Sequence, residues 1–261
     1  MRYMSLNKKV ISSTLALSLV FGGLMFGGSS VFAEKTKIHF NETYETPSYI
    51  IENWEAPEGL SKRDIVLSYM ESKSNSFKLA SESTKQNFKI IEEKKNEETG
   101  NYHFKLEQQY EGIPIFGADQ TVALDETNNV TAYFGQVIPS LEHQNIITDA
   151  KITKEEAIDI FKNTLEEKIG TVESYDGLEV EEYIYEYENQ FYYTYLVTAS
   201  TVYPKVGYWH FFIDAISGDV VDSFNAAHEV TAFGQGVFGE KRKFEAQEYN
   251  GLYRLYDETR G

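Results

Sequence analysis

The 261-residue chain has no cysteine, only five prolines and only five histidines. The lack of cysteine excludes a disulfide framework, a thiolate zinc site and a cysteine nucleophile. Positive charge is also scarce, because 24 Lys and Arg face 41 Asp and Glu and the net charge is −17. Such a surface repels phosphate backbones, and no run of Lys and Arg exceeds three residues. Nucleic acid is therefore not an expected partner.

Aromatic and aliphatic side chains are plentiful. Hydrophobic residues make up 41% of the chain, including 19 Tyr and 17 Phe. This is enough apolar surface to form hydrophobic cores. The length of the chain is sufficient for one large domain or two small ones.

The N-terminal 33 residues have a different composition from the rest. Arg2, Lys8 and Lys9 precede an uncharged apolar stretch over 10–25, and small or tolerated residues lead up to Ala33. This pattern predicts a signal peptide over 1–33, cut by signal peptidase between Ala33 and Glu34. A membrane anchor is the alternative, but the run is shorter than the roughly 20 residues that a span needs. We therefore expect a secreted, extracellular protein without a membrane contact after the signal is removed.

Residues 34–59 are polar, contain Pro47 and Pro57, and have no sustained period. They predict an irregular lead-in. Ser61 can then cap a short helix, after which apolar residues alternate in four predicted strand segments: 88–90, 102–106, 121–124 and 130–134. Residues 60–141 are thus predicted to form a first module, a helix followed by an antiparallel meander.

The same scheme repeats after Pro139. Thr153 and Glu156 form a capping box that opens a second helix with a buried apolar stripe. Alternating segments follow at 180–187, 191–199, 208–214 and 220–224. The predicted fold class is α+β, with two tandem modules (60–141 and 142–226), each a helix packed on an antiparallel sheet. A short, glycine-spaced β segment occupies 227–261.

Catalytic chemistry is not visible in this sequence. The nearest approach to a zinc-binding H-E-x-x-H motif starts at His228 and Glu229, but Ala232 stands in place of the second histidine. His103 and His210 lie inside predicted strands among aromatics, where a structural role is expected. The G-x-S-x-G elbow of serine hydrolases does not occur. We assign no catalytic, cofactor-binding or metal-binding residue, and we expect the chain to need no cofactor.

Two stretches carry a specific family resemblance. Residues 102–119, with the core Gln108-Gln109-Tyr110-Glu111-Gly112-Ile113-Pro114-Ile115-Phe116-Gly117, closely resemble the fungalysin/thermolysin propeptide module. The capped helix from Thr153 and residues 209–220 look like a PepSY domain. In secreted thermolysin-like neutral proteases of the bacillolysin type these modules stand in this order behind a signal peptide, so the resemblance covers nearly the whole chain.

The tail extends the resemblance. Residues 230–239 and 253–261 are similar to the first strands of a mature thermolysin-like peptidase, so the chain is expected to be truncated at the start of that domain. The resemblance implies a cleavage junction at 227–261, with the cut between Glu229 and Val230. It implies zinc and calcium only for the peptidase domain, which this sequence does not contain.

The resemblance implies a pro-region that assists folding of a thermolysin-like zinc metalloendopeptidase and inhibits it in the zymogen. The thermolysin-like peptidase domain is then the main partner, and no proteolytic activity is expected of the chain itself. Two alternatives stay open. The chain is a free-standing secreted inhibitor or peptide-binding protein, or it is a fragment of an active metalloendopeptidase precursor. Coding sequence downstream of Gly261 would separate these alternatives, since an H-E-x-x-H there indicates a precursor.

Overall fold

A computed structural model describes residues 36–79, 84–139, 141–235, 241–249 and 252–256. The predicted signal peptide and the Ala33–Glu34 bond lie outside these ranges. Among the described residues, no helix has the length and apolar character needed to span a bilayer.

Two α-helices and thirteen strands are found in the described part of the chain. The helices are α1 (Lys62–Ser72) and α2 (Lys154–Ile169), and two short 3-10 turns cover Thr84–Asn87 and Leu141–His143. The strands are β1 (Lys37–Phe40), β2 (Pro47–Trp54), β3 (Phe88–Lys95), β4 (Tyr102–Tyr110), β5 (Ile113–Leu124), β6 (Val130–Gly135), β7 (Asp176–Tyr187), β8 (Gln190–Thr201), β9 (Gly207–Asp214), β10 (Val220–Asn225), β11 (His228–Gln235), β12 (Lys241–Tyr249) and β13 (Leu252–Tyr256). The predicted α+β class is confirmed.

Helix α1 begins where its cap predicts. The Ser61 hydroxyl accepts a hydrogen bond from the amide of Asp64, at 3.2 Å, which satisfies one of the free donors of the first turn. The buried side of α1 packs into a core built with strands β2 to β6. There the Tyr69 hydroxyl donates to Glu52 at 2.9 Å, and Lys73 forms an ion pair with the same carboxylate. Burial, followed by the Glu52 charge, raises the pKa of Tyr69.

Helix α2 begins with the predicted capping box. Thr153 accepts from the Glu156 amide at 3.1 Å, and the Glu156 carboxylate accepts from the Thr153 amide at 2.7 Å. The buried stripe packs against β8 and β9, where the Phe161 ring meets Phe211 edge to face at a centroid distance of 5.0 Å. This second core also takes in Ile115 of β5, so the two cores meet along that strand.

Within the described ranges, β1 to β10 form one sheet whose main path runs β1-β2-β6-β5-β7-β8-β9-β10, with β4 pairing β3 and β5. Every pairing is antiparallel except that of β5 with β7, which are parallel at Ile115 and Ile184. Strands β11 to β13 pair in a separate three-stranded sheet.

The prediction that residues 34–59 form an irregular lead-in is wrong. Strand β2 lies between β1 and β6, and its Ile50 is 1% exposed. Pro47 stands at the first position of the strand, where its missing amide does least harm. The preceding loop is anchored as well, because the Thr46 hydroxyl donates to the Val137 carbonyl and the Tyr44 hydroxyl donates to Glu186 of β7. This segment is therefore part of the folded core.

Candidate functional site

The turn between β4 and β5 carries the centre of the propeptide-like motif. Tyr110 and Ile113 face each other in the ladder, and the two residues between them both have positive φ, 51° at Glu111 and 86° at Gly112. Two such residues make the tight hairpin turn whose twist matches the strands, and glycine adopts the second position without strain. The glycine of the motif is thus explained by the turn.

The first glutamine of the motif joins two parts of the backbone. Gln108 is 1% exposed, and its amide nitrogen donates to the Ile138 carbonyl at 2.8 Å. Its amide oxygen accepts from the Ile138 amide at 2.9 Å. The side-chain amide therefore makes the pair of hydrogen bonds that a neighbouring strand would make. It satisfies both backbone groups of the buried Ile138.

Strand β5 leaves its partner β4 for four residues. Glu107 pairs with Asp119 and Gln109 with Pro114, so residues 115–118 bulge out of the ladder. In this bulge Ile115 pairs with β7 and is 3% exposed in the second core, while Phe116 contacts Phe212 at 4.8 Å between ring centroids. Neighbouring side chains of a strand point to opposite faces, so the Ile-Phe pair holds the sheet of β7 to β10 from both sides.

The closing hairpin of the PepSY-like region contains a buried tryptophan. Trp209 is 8% exposed, and its indole nitrogen donates to the Thr201 hydroxyl at 2.8 Å. A Cβ on Gly207 would lie 2.4 Å from the indole ring, so only glycine allows the ring to occupy this place. The buried polar end of the indole is satisfied, as a rigid core position requires.

The opposite side of the same sheet presents aromatic rings, and we call it the aromatic face. Across β7 to β10 the register sets Tyr185, Phe212, His210 and Phe224 on this side, and Tyr185 stacks on Phe212 with centroids 3.7 Å apart. The cluster of Tyr185, Leu196 and Phe212 with its packed neighbours consists of strand residues alone. The face is defined by six residues: Tyr185, Tyr187, Tyr208, His210, Phe212 and Phe224.

Carboxylates surround these rings. The Tyr185 hydroxyl donates to Asp222 at 2.6 Å, and burial followed by the charge of Glu181 raises the pKa of Tyr183 to about 12. Burial lowers the pKa of His210, which stacks on Phe224 at a centroid distance of 5.1 Å. The imidazole is thus held neutral among aromatic rings, in line with its predicted structural role.

The residues of the predicted cleavage junction lie in a strand. Strand β10 ends at Asn225, whose side-chain oxygen accepts from the Tyr208 amide at 2.9 Å and from the Ala227 amide at 3.0 Å. Glu229 and Val230 then lie inside β11, paired in register with Gln247 and Ala246 of β12. Only Ala226 and Ala227 separate the two strands.

The histidines lie apart in the fold. His39, His103 and His210 lie in β1, β4 and β9, while His143 is in a 3-10 turn and His228 begins β11. No group of three or more His, Asp or Glu that could hold a metal occurs in the portion of the chain that the structure describes. The aromatic face offers rings and carboxylates side by side, as at the contact between Tyr185 and Asp222.

Two known protein families match parts of the chain. Residues 86–137 match the Fungalysin/Thermolysin Propeptide Motif, and residues 151–224 match the Peptidase propeptide and YPEB domain, PepSY. The first match covers β3 to β6, and the second runs from just before α2 through β10. Gln108 thus lies inside the first matched range, and Trp209 lies inside the second.

Curated relatives are bacterial proteases. The chain is 36% identical to Bacillolysin of Brevibacillus brevis over 258 residues, which is 98% of this chain and 48% of that protein. It is 37% identical to Neutral protease B of Bacillus subtilis (strain 168), covering 94% and 46%. Thermolysin of Alicyclobacillus acidocaldarius is 26% identical, covering 98% and 49%. The chain thus spans about half the length of these relatives, and it contains a fungalysin/thermolysin propeptide motif and a PepSY domain, which makes it similar to the pro-regions of thermolysin-like neutral proteases.

Proposed function

We propose that this chain acts as a secreted pro-region that assists folding of a thermolysin-like zinc metalloendopeptidase and inhibits it until the junction is cut. The observation that carries the proposal is the continuous path from the two propeptide modules into β11. Strand β10 closes the PepSY-type sheet, and β11, which resembles the first strand of the peptidase, begins three residues after Asn225. A peptidase domain attached there is held beside the pro-region, which raises its effective concentration.

Folding assistance has a physical basis in topology. A β-rich peptidase has many contacts between distant residues, and such proteins fold slowly because loop closure precedes the stabilising contacts. A pro-region that is already folded and binds only native-like surface stabilises that surface by mass action. The same complementarity inhibits the finished enzyme for as long as the two remain bound.

The structure of this pro-region is suited to act as a template. Residues 60–141 and 142–226 form the two modules in this proposal, and β5 joins them through Ile115 and Phe116. Because these side chains are packed on opposite faces of one sheet, little ordering is left to occur on binding. Export by a signal peptide cut after Ala33, and processing between Glu229 and Val230, complete the proposal. Zinc and calcium belong to the peptidase domain in this scheme.

The experiment measures both activities with one partner. Neutral protease B of Bacillus subtilis is titrated with the purified chain, and residual hydrolysis of a peptide substrate is followed. In parallel the denatured protease is refolded with and without the chain, and the yield of active enzyme is compared. We expect stoichiometric inhibition at micromolar concentration and a higher refolding yield. Full activity at micromolar chain, together with an unchanged refolding yield, would reject the proposal.

A further inference from the structure

The aromatic face lies on the side of the sheet that α2 does not cover. Helix α2 packs on the side of Phe211 and Trp209, whereas Tyr185, Phe212 and Phe224 cluster on the other side with strand residues alone. Tyr187 and Tyr208 at the rim of this face are each 36% exposed. Tyrosine supplies a large apolar contact area with few rotatable bonds, so ordering it on binding costs little entropy.

The strand residues on this side of the sheet carry charge of one sign. Strands β7 to β10 contain no Lys or Arg, and the register puts five of their seven carboxylates on the side of the aromatic face: Asp176, Glu179, Glu181, Asp214 and Asp222. The other two, Glu182 and Glu186, lie on the opposite side, where they contact Lys154 and Tyr44. The register places Glu181 opposite Leu196 on the face itself, next to Phe212. A partner must therefore meet an apolar centre with an acidic rim, and the complementary surface is an apolar patch rimmed by Lys or Arg.

Chain connectivity favours one occupant. Phe224 lies on β10, and the polypeptide enters β11 at His228, four residues later. Four residues span at most about 14 Å, so a domain that follows β10 begins within reach of this face. Its local concentration there exceeds that of any free protein.

We infer that the aromatic face is the docking surface for the peptidase domain, which contacts it with an apolar patch rimmed by basic residues. This inference rests on the proposed function and specifies which part of the pro-region makes the contact. The rings of Tyr187 and Tyr208 contact the partner directly, and Glu181 pairs with its basic rim. Phe212 is 0% exposed and supports the rings from below.

The test uses full-length chains with single substitutions at exposed positions. Tyr187→Ser and Tyr208→Ser remove rings from the face, and Tyr203→Ser is the matched control, since Tyr203 is 60% exposed on the β8–β9 connection. Circular dichroism and thermal melting verify that each variant folds. The inhibition constant against Neutral protease B is then measured at low and high salt. We expect each face variant to weaken inhibition about tenfold, as loss of an interface tyrosine commonly does, and the control to leave it unchanged.

The salt series tests the charge part of the inference. Inhibition by the wild-type chain is expected to weaken as salt rises, and Glu181→Gln is expected to reduce that dependence. If the wild type inhibits and the folded face variants inhibit equally well, the docking surface is elsewhere although the proposed function holds. If the wild type does not inhibit, both fail. If the substitutions change only self-association in sedimentation, the face binds a second copy and the inference is overturned.

Discussion

The side chain of Gln108 makes two hydrogen bonds to the backbone of Ile138, one through each end of its amide, at 2.8 and 2.9 Å. The two residues are 30 positions apart, and both are buried. Gln108 lies on β4 in the propeptide motif, and Ile138 belongs to the second core with α2. One side chain thus links the motif to the second core.

Replacing Gln108 by Leu should destabilise the chain by about 2–4 kcal/mol, because two buried backbone groups lose their partners. Urea unfolding, followed by fluorescence, measures the change. Gln109→Leu on the same strand is the control, since its side chain donates to the carboxylate of Glu107, two positions away, and not to a buried backbone group in the described part of the chain. Equal stabilities of the two variants would contradict the structural role assigned to Gln108.

Trp209→Ala should cost about 3–5 kcal/mol, because a large buried side chain is removed and the Thr201 hydroxyl loses its donor. Inhibition should weaken together with folding. Tyr203→Ala, at a position that is 60% exposed, should change stability by less than about 0.5 kcal/mol. Thermal melting of both variants measures the loss of stability. A Trp209→Ala chain with the melting temperature of the wild type would show that the tryptophan is not needed for stability.

His210 should make stability depend on pH. Burial lowers its folded pKa below the ordinary value of 6.5, so the neutral form is favoured by folding. The neighbours that face it are the rings of Tyr208 and Phe224 and the side chain of Thr198, none of which carries a charge at neutral pH. Its contribution is therefore fully present above about pH 6.5 and is lost as pH falls through the folded pKa.

The measurement is the free energy of unfolding in urea between pH 5 and pH 8. His210→Phe keeps a stacking ring without a titrating group, so its stability should fall less steeply below pH 6.5 than that of the wild type. Parallel pH profiles for His210→Phe and the wild type would refute the assignment.

A thermolysin-like protease should cut the chain between Glu229 and Val230, since these enzymes favour an apolar residue on the carboxyl side of the bond. Both residues are paired with β12, so β11 must first open locally, and cutting should accelerate with mild denaturant. N-terminal sequencing of timed digests identifies the first new end. Val230→Asp should suppress this cut. A first cut inside 102–119 would contradict the ordered hairpin described there.

Export should remove residues 1–33. Because Ala33 precedes the polar part of the chain and small residues are needed at the cut, the mature protein should begin at Glu34. Intact-mass spectrometry of the culture supernatant measures this directly. Ala33→Arg should leave the signal attached. Recovery of the wild-type chain with Met1 to Ala33 still present would refute the prediction.

Local signals in the sequence were sufficient for many elements. The Thr153 and Glu156 capping box places the start of α2, and the alternation over 102–106 and 208–214 places β4 and β9, since caps and period-two patterns depend only on near neighbours. Strand β2 was missed because a register shift against β6 between Ile51 and Trp54 interrupts its alternation. The aromatic face was not recognised either, because its six rings come from three strands, β7, β9 and β10, and only the sheet register brings them to one side.

The sequence by itself determined the two helices with their caps, most strands, and the resemblance to the pro-region family. Only the tertiary structure decided that Ile115 pairs with Ile184, that Gln108 bonds to Ile138, and that Tyr185 stacks on Phe212. These pairs are 27 to 69 positions apart. Their selection depends on how the two cores close against β5, and that is a property of the packed chain which no local pattern encodes.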